Sequence, residues 1–180
     1  RALEDVPDIT ARICGICPVA YQMSSVHALE AALGLSISPE IRRLRRLLYC
    51  GEWIESHALH VYLLNAPDLL GFDSGLAMAA PHPELVNRGL RLKKHGNELL
   101  EVLGGRAIHP INVAVGGFYR APRREQLQRL IPDFEWGLEA AVETVRWVAG
   151  FDFPEFDGGY QLVSLAHDDE YPMNEGRIVT

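Results

Sequence analysis

No apolar run in the 180 residues approaches the ~20 positions that a membrane-spanning helix needs, and no basic stretch leading into an apolar core opens the chain as a secretion signal would. A cytoplasmic location with no membrane partner is the expectation. Positive charge is also short: 17 Lys and Arg against 24 Asp and Glu leave a net charge of −7. Phosphate binding needs a concentrated basic surface, so a nucleic-acid partner is excluded as the expected reading. The local exception, Arg42, Arg43, Arg45 and Arg46, spreads around a helix and reads as a solvated or partner-facing stretch. Cysteine is scarce. Cys14, Cys17 and Cys50 are too few and too unevenly spaced for a disulfide framework, so reduced thiols are expected. Internal repeats and low-complexity segments are absent.

What is present supports a folded core, because 48% of the residues are apolar. Pro18 suits a first helical position, and Val19, Met23, Val26, Leu29 and Leu33 recur at helical spacing until Gly34. Ser38-Pro39-Glu40 opens a longer helix that carries Leu47, Ile54, Ala58 and Val61 on one face and stops near Asn65-Ala66-Pro67. Residues 71–83 read as loop, 84–103 as a third helix ending at Gly104-Gly105, and Asn112 to Val115 as a short strand interrupted by Gly116-Gly117. A further helix from Arg120-Ala121-Pro122 runs to Gly150, kinked or split at Pro132. Residues 161–165 and 177–179 look like two strands. The fold class is therefore mainly α with minor β, long packed helices with short strands at the periphery.

The chemistry sits in Arg12-Ile13-Cys14-Gly15-Ile16-Cys17-Pro18. Two thiols two residues apart converge on one point if Gly15 allows a tight turn, which makes half of a soft-metal site. The helix N-terminus after Cys17 and the nearby Arg12 should both favour thiolate. Three alternatives remain open on spacing alone. Structural zinc needs four ligands, which His57 and His60, one helical turn apart, could complete. A thioredoxin-like redox pair would follow a strand, and Pro7-Asp8-Ile9-Thr10 makes a poor one. Core packing is the ordinary role of a lone cysteine and is assigned to Cys50.

The string from Arg12 to Ala20 resembles the first signature of nickel-iron hydrogenase large subunits. Ser56-His57-x-x-His60-x-Tyr62 followed by Pro67-Asp68 resembles that family's next helix. Gly105-Arg106-x-x-His109-Pro110, with Gly116-Gly117 beyond, resembles its second signature. The resemblance implies that Cys14 is a terminal nickel ligand and that Cys17 bridges nickel to iron, thiolates being suited to a soft, redox-active metal. It implies reversible heterolysis of dihydrogen, the metals serving as Lewis acid while a nearby base takes the proton. Electrons would leave through the iron-sulfur clusters of a small subunit.

The family's second cysteine pair has no counterpart after Cys17. Residues 1–180 are thus expected to be a single partial domain, the N-terminal-to-middle part of a longer subunit, with two of four thiolates and no activity alone. The glutamate that the family keeps on its proton route is not identified in this chain, so no proton-transfer carboxylate is assigned; Glu52 and Glu55 read as helix-surface residues. Tyr21 stands where many relatives have histidine, and a phenol can also donate to sulfur. Arg12, Tyr21, His57, His60 and His109 are motif or supporting residues, the histidines expected in positioning or interface roles. His27, His82, His95 and His167 stay unassigned.

The wording from Pro18 to Met23 and the segment Gly116 to Pro122 resemble the cytoplasmic, bidirectional branch, which passes electrons to NAD(P). No Gly-x-Gly-x-x-Gly occurs, so flavin and nicotinamide sites would lie on diaphorase-type partner subunits. Maturation proteins join the small subunit as the other expected partners, and the surfaces that meet them should be exposed and apolar. A different class is a metal-free scaffold or binding module, as in the quinone-reducing subunit of complex I. The retained Cys14 and Cys17 count against it.

Overall fold

The computed structural model describes residues 2–180. Two helices set the frame. The first, α3 (Pro39–Leu59), starts where Ser38 Oγ accepts the Ile41 N–H at 3.4 Å and Pro39 occupies the first turn. The second, α6 (Pro83–Gly104), ends at Gly105 in the left-handed region. They lie backbone to backbone. A Cβ on Gly96 would stand 2.7 Å from both the Gly51 carbonyl oxygen and the Glu55 nitrogen, and one on Gly89 would stand 2.5 Å from Tyr62 Cβ. Glycine at these two positions is a condition of the packing, not of backbone freedom.

Before this pair come α1 (Val6–Ala11) and α2 (Pro18–Leu33), the latter closed by left-handed Gly34. Val19, Met23 and Val26 of α2 bury against Leu48 of α3 and Leu100 and Leu103 of α6, which forms the main core. Thr10 Oγ1 and Ser25 Oγ lie 2.9 Å apart and tie α1 to α2.

Past Leu59 the helix widens into a π-helical turn over His60–Asn65 and resumes as α4 (Ala66–Leu70), with Pro67 in its first turn. The expected stop at Asn65-Ala66-Pro67 is therefore a change of helical pitch. The expected loop contains a short helix, α5 (Gly75–Ala79), whose start is capped by Ser74 Oγ accepting from Ala77 N at 3.1 Å. Gly117 does not interrupt a strand. It pairs with Ala114 in a two-stranded hairpin of β1 (Val113–Ala114) and β2 (Gly117–Phe118).

The next helical stretch is split before Pro132, into α7 (Arg124–Gln128) and α8 (Ile131–Val148), since proline is tolerated in a first turn but not in an interior one. The last antiparallel pair, β3 (Ser164–Ala166) and β4 (Arg177–Val179), puts its first strand three residues later than the sequence pattern suggests. The architecture is mainly α with two minor sheets at the edge.

On α3 three expectations fail together. Leu47 is 40% exposed while Leu48 beside it is buried, although Ala58 of the expected face is buried. Arg45 is fully buried and not solvated. Glu52 and Glu55 are buried and not on the surface. Each of the three buried charged residues has a partner on another element. Arg45 pairs with Glu30 of α2, Glu55 with Lys93 of α6, and Glu52 with backbone N–H groups of α2.

Candidate metal centre

Between α1 and α2 the chain makes the turn that holds Cys14 and Cys17, both half-buried. Cys14 Sγ accepts the N–H of Ile16 at 3.4 Å and of Cys17 at 3.3 Å. These contacts, led by the hydrogen bond from the Cys17 side chain, hold the Cys14 thiol below its ordinary pKa. Cys17, at the N-cap of α2, goes the other way. Burial, reinforced by Cys14 and by the charge of Glu52, pushes it up to about 11.

The helix-end and arginine effects expected for both thiols are thus realised for neither in the expected manner. Arg12 is turned to Asp8, 3.2 Å away on the exposed side of α1. The N–H groups at the start of α2 are already used, with Val19 N donating to Glu52 Oε2 at 2.5 Å and Ala20 N to Oε1 at 3.0 Å. A carboxylate from α3 therefore answers the helix dipole that a Cys17 thiolate would otherwise feel. Desolvation pushes Glu52 itself up to about 7. Gly15 has open space around its missing Cβ and no left-handed φ, so the turn does not require glycine for its conformation.

The first and third motifs converge. His109, with φ of 52°, donates Nδ1–H to the Ala11 carbonyl at 2.8 Å and braces the residue that precedes the cysteine turn. Gln22 Nε2 donates to the Pro110 carbonyl at 2.8 Å, tying α2 to the same loop. Glu30 of α2 accepts the Gly116 N–H at 2.7 Å. His109 thus links the third motif to the residue just before the first.

The second motif points elsewhere. His57 donates Nδ1–H to the Trp53 carbonyl at 2.7 Å and stacks on the Trp53 ring, while His60 donates to the Ser56 carbonyl at 3.0 Å. Among the described residues, neither joins the two thiols in a cluster of three donor groups, and no other histidine, cysteine or carboxylate does. The structural-zinc alternative has no ligand set here. Tyr21 is exposed, and among the described residues its hydroxyl makes no hydrogen bond to either sulfur.

Two features lie outside this centre. His95, Glu98 and Asp133 form a donor cluster between α6 and α8, and Arg91 Nε donates to His95 Nε2 at 3.3 Å, so that ring nitrogen is already engaged. An open apolar groove of about 600 Å³ lies between α3, α6 and α8, with none of the cysteine turn in its lining. Ile13 and Ile16 in the turn and Ile108 and Ile111 on either side of His109-Pro110 are exposed.

The donor set passes a chemical test for a soft metal. Two thiols share one short turn, one of them receives two backbone N–H groups, and among the described residues no carboxylate joins them in a donor cluster.

Sequence and structural comparisons agree. The family model described as nickel-dependent hydrogenase matches residues 1–83. The alpha subunit of sulfhydrogenase 2 from Pyrococcus furiosus is 48% identical over 126 residues, covering 70% of this chain and 31% of that protein. The alpha subunit of sulfhydrogenase 1 from the same organism is 36% identical over 159 residues, covering 88% of this chain and 37% of that protein. An NAD+-reducing [NiFe]-hydrogenase in its H2-reduced state superposes with a TM-score of 0.75 at 30% identity, over 82% of this chain and 35% of that one. The chain spans about a third of the length of the curated relatives it matches.

Proposed function

The chain belongs to the nickel-dependent hydrogenase family, and on that premise we propose that it supplies the first cysteine pair of a nickel-iron centre for the reversible oxidation of dihydrogen. The observation that carries the reading is the turn in which Cys14 and Cys17 stand together beside the start of α2, braced from behind by His109. In this reading Cys14 would hold nickel as its terminal ligand and Cys17 would be the thiolate shared with iron. The centre, when bound, supplies the Lewis acidity and electron-accepting capacity that dihydrogen heterolysis needs.

This chain's own residues hold and orient. The backbone N–H groups of Ile16 and Cys17 stabilise negative charge on Cys14. His109 and Gln22 keep the turn fixed against the loop that follows α6. Two of four thiolates are within residues 1–180, so the 180-residue chain alone is inactive. The isoleucines around the turn are the surface on which the remaining half of the centre closes.

The partner in this reading is a small subunit carrying iron-sulfur clusters, with diaphorase-type subunits and maturation proteins in the wider assembly. An NAD(P)-linked electron acceptor is supported by the likeness to an NAD+-reducing enzyme. Among the described residues no helix is long and apolar enough to cross a membrane, which is compatible with a cytoplasmic complex.

The test is elemental analysis of the longer subunit that contains this chain, as wild type and with Cys14→Ser or Cys17→Ser. Near-stoichiometric nickel and iron in the wild type and loss of both metals in the variants are expected. Full metal retention by either variant, or hydrogen uptake by the pure 180-residue chain, overturns the reading.

A further inference from the structure

Glu52 is buried, 2% exposed, on α3, and its carboxylate is committed on both sides to the first turn of α2. Helices leave their first four N–H groups without intrahelical partners, and the N-cap side chain ordinarily takes one or two of them. Here the N-cap is Cys17, at φ −122° and ψ 44°, and its side chain makes no capping hydrogen bond. The cap comes instead from Glu52, 33 positions beyond the Val19 whose N–H it accepts.

Two consequences follow from that exchange of roles. The Cys17 sulfur is not spent on the helix and stays available to a ligand. The carboxylate is not spent as a ligand either. Both of its oxygens face N–H groups, and it does not join the two sulfurs in a three-donor cluster. It stands behind the thiols as a buried carboxyl that is negative once the pH exceeds its raised value of about 7.

We propose that Glu52 is the positioning residue of the cysteine pair: it caps α2 from α3, which frees Cys17 to turn toward Cys14, and it provides the anionic background against which the pair takes a soft divalent cation. This inference rests on the metal-centre reading above and extends it to a residue outside the three motifs. Two thiolates and a carboxylate together overbalance a divalent ion, so removing the carboxylate charge weakens attraction without removing a ligand. Glutamine is the apt substitution. It keeps the volume and one carbonyl acceptor, loses the charge, and sets an NH2 group against the second backbone donor.

The experiment is anaerobic titration of the reduced 180-residue chain with cobalt(II) or nickel(II) above pH ~8, where Glu52 with its value of about 7 is ionised, read by thiolate-to-metal charge-transfer absorption. Wild type is compared with Glu52→Gln and with the double variant Cys14→Ser/Cys17→Ser. Glu52→Gln is expected to bind about tenfold more weakly, the lower end of what outer partners of metal ligands contribute. Its charge-transfer band should move to higher energy, because the thiolates lose a neighbouring negative charge. A structural defect alone would not move that band in a chain with unchanged far-ultraviolet circular dichroism.

Wild-type affinity and an unshifted band in a folded Glu52→Gln chain overturn the proposal and leave the cysteine-pair reading standing. Wild-type binding by the double serine variant overturns the cysteine-pair reading itself. If Glu52→Gln does not fold, amide hydrogen exchange on the wild-type chain decides. Protection of the Val19 and Ala20 amides is the expected result, and free exchange at both sinks the cap on which the proposal stands.

Discussion

Arg45 and Glu30 face each other in a two-pronged ion pair, Nη1 to Oε2 at 2.8 Å and Nη2 to Oε1 at 2.6 Å, with nothing of the arginine exposed. The pair does more than join α2 to α3. Arg45 Nη2 also donates to the Ala114 carbonyl at 3.2 Å, and Glu30 Oε1 accepts the Gly116 N–H, so both ends of the pair hold the β1–β2 hairpin. Burial alone would raise the Glu30 pKa, but Arg45 and the Gly116 N–H prevail and hold it below the ordinary value.

Breaking this pair from one side is therefore expected to cost about 3–5 kcal/mol, because it leaves a buried charge uncompensated. Glu30→Ala or Arg45→Ala, followed by urea unfolding, measures it. Arg45→Met combined with Glu30→Leu should recover much of the loss, since a buried ion pair exchanged for apolar volume is often neutral. A single variant within ~0.5 kcal/mol of wild type would show that the pair is solvated in solution.

The contact between α3 and α6 makes a second prediction with an internal control. Gly96→Ala places a methyl 2.7 Å from backbone atoms of α3, where no side-chain rotation can relieve it. A loss of at least ~1–3 kcal/mol, the usual range for overpacking, is expected. Gly15→Ala meets nothing within 4 Å and should leave the stability of this chain unchanged. Equal melting points for the two variants would refute the close approach of the helices.

How much of this was legible in sequence divides by distance along the chain. The cysteine turn, the proline starts of α2 and α3 and the glycine ends of α2 and α6 are local strings, and they stand where local chemistry puts them. His109 could be singled out by its motif, although its contact with Ala11, 98 positions away, could not. The failures share one cause. Arg45, Glu52 and Glu55 are charged residues on a helix, and hydrophobic patterning assigns charge to the outside. What buries them is a partner on another element, and a single sequence carries no mark of that partner. The same pattern rule placed Leu47 inside, one position from the residue that is buried.

The pH dependence of stability provides a third prediction. Glu52 has a folded-state pKa of about 7 against an ordinary 4.5, with burial as the main cause. A carboxyl whose folded pKa is raised binds its proton more tightly in the native state. Its contribution is fully present below pH 4.5 and is lost as pH rises through about 7. The shift corresponds to a loss on the order of 3 kcal/mol at alkaline pH. Urea midpoints across that window should fall for the wild type and fall much less for Glu52→Gln. A wild-type midpoint that rises with pH over the same range would contradict the assignment.

The last prediction concerns which thiol reacts first, and it follows from the asymmetry of the turn. Cys14 is held below its ordinary pKa by the side chain and backbone of Cys17 and by the Ile16 N–H. Cys17 is raised to about 11, chiefly by burial, with the charge of Glu52 adding to it. Alkylation rates follow the thiolate fraction, so at neutral pH iodoacetamide should label Cys14 at least ~10-fold faster than Cys17. Peptide mapping of partially labelled chain resolves the two sites. His109→Ala removes the brace on Ala11 and should narrow the difference by loosening the turn, whereas His57→Ala, on the far motif, should leave it unchanged. Labelling of Cys17 ahead of Cys14 would mean that the N-terminus of α2 reaches the sulfur after all and that the Glu52 cap is not what fills it.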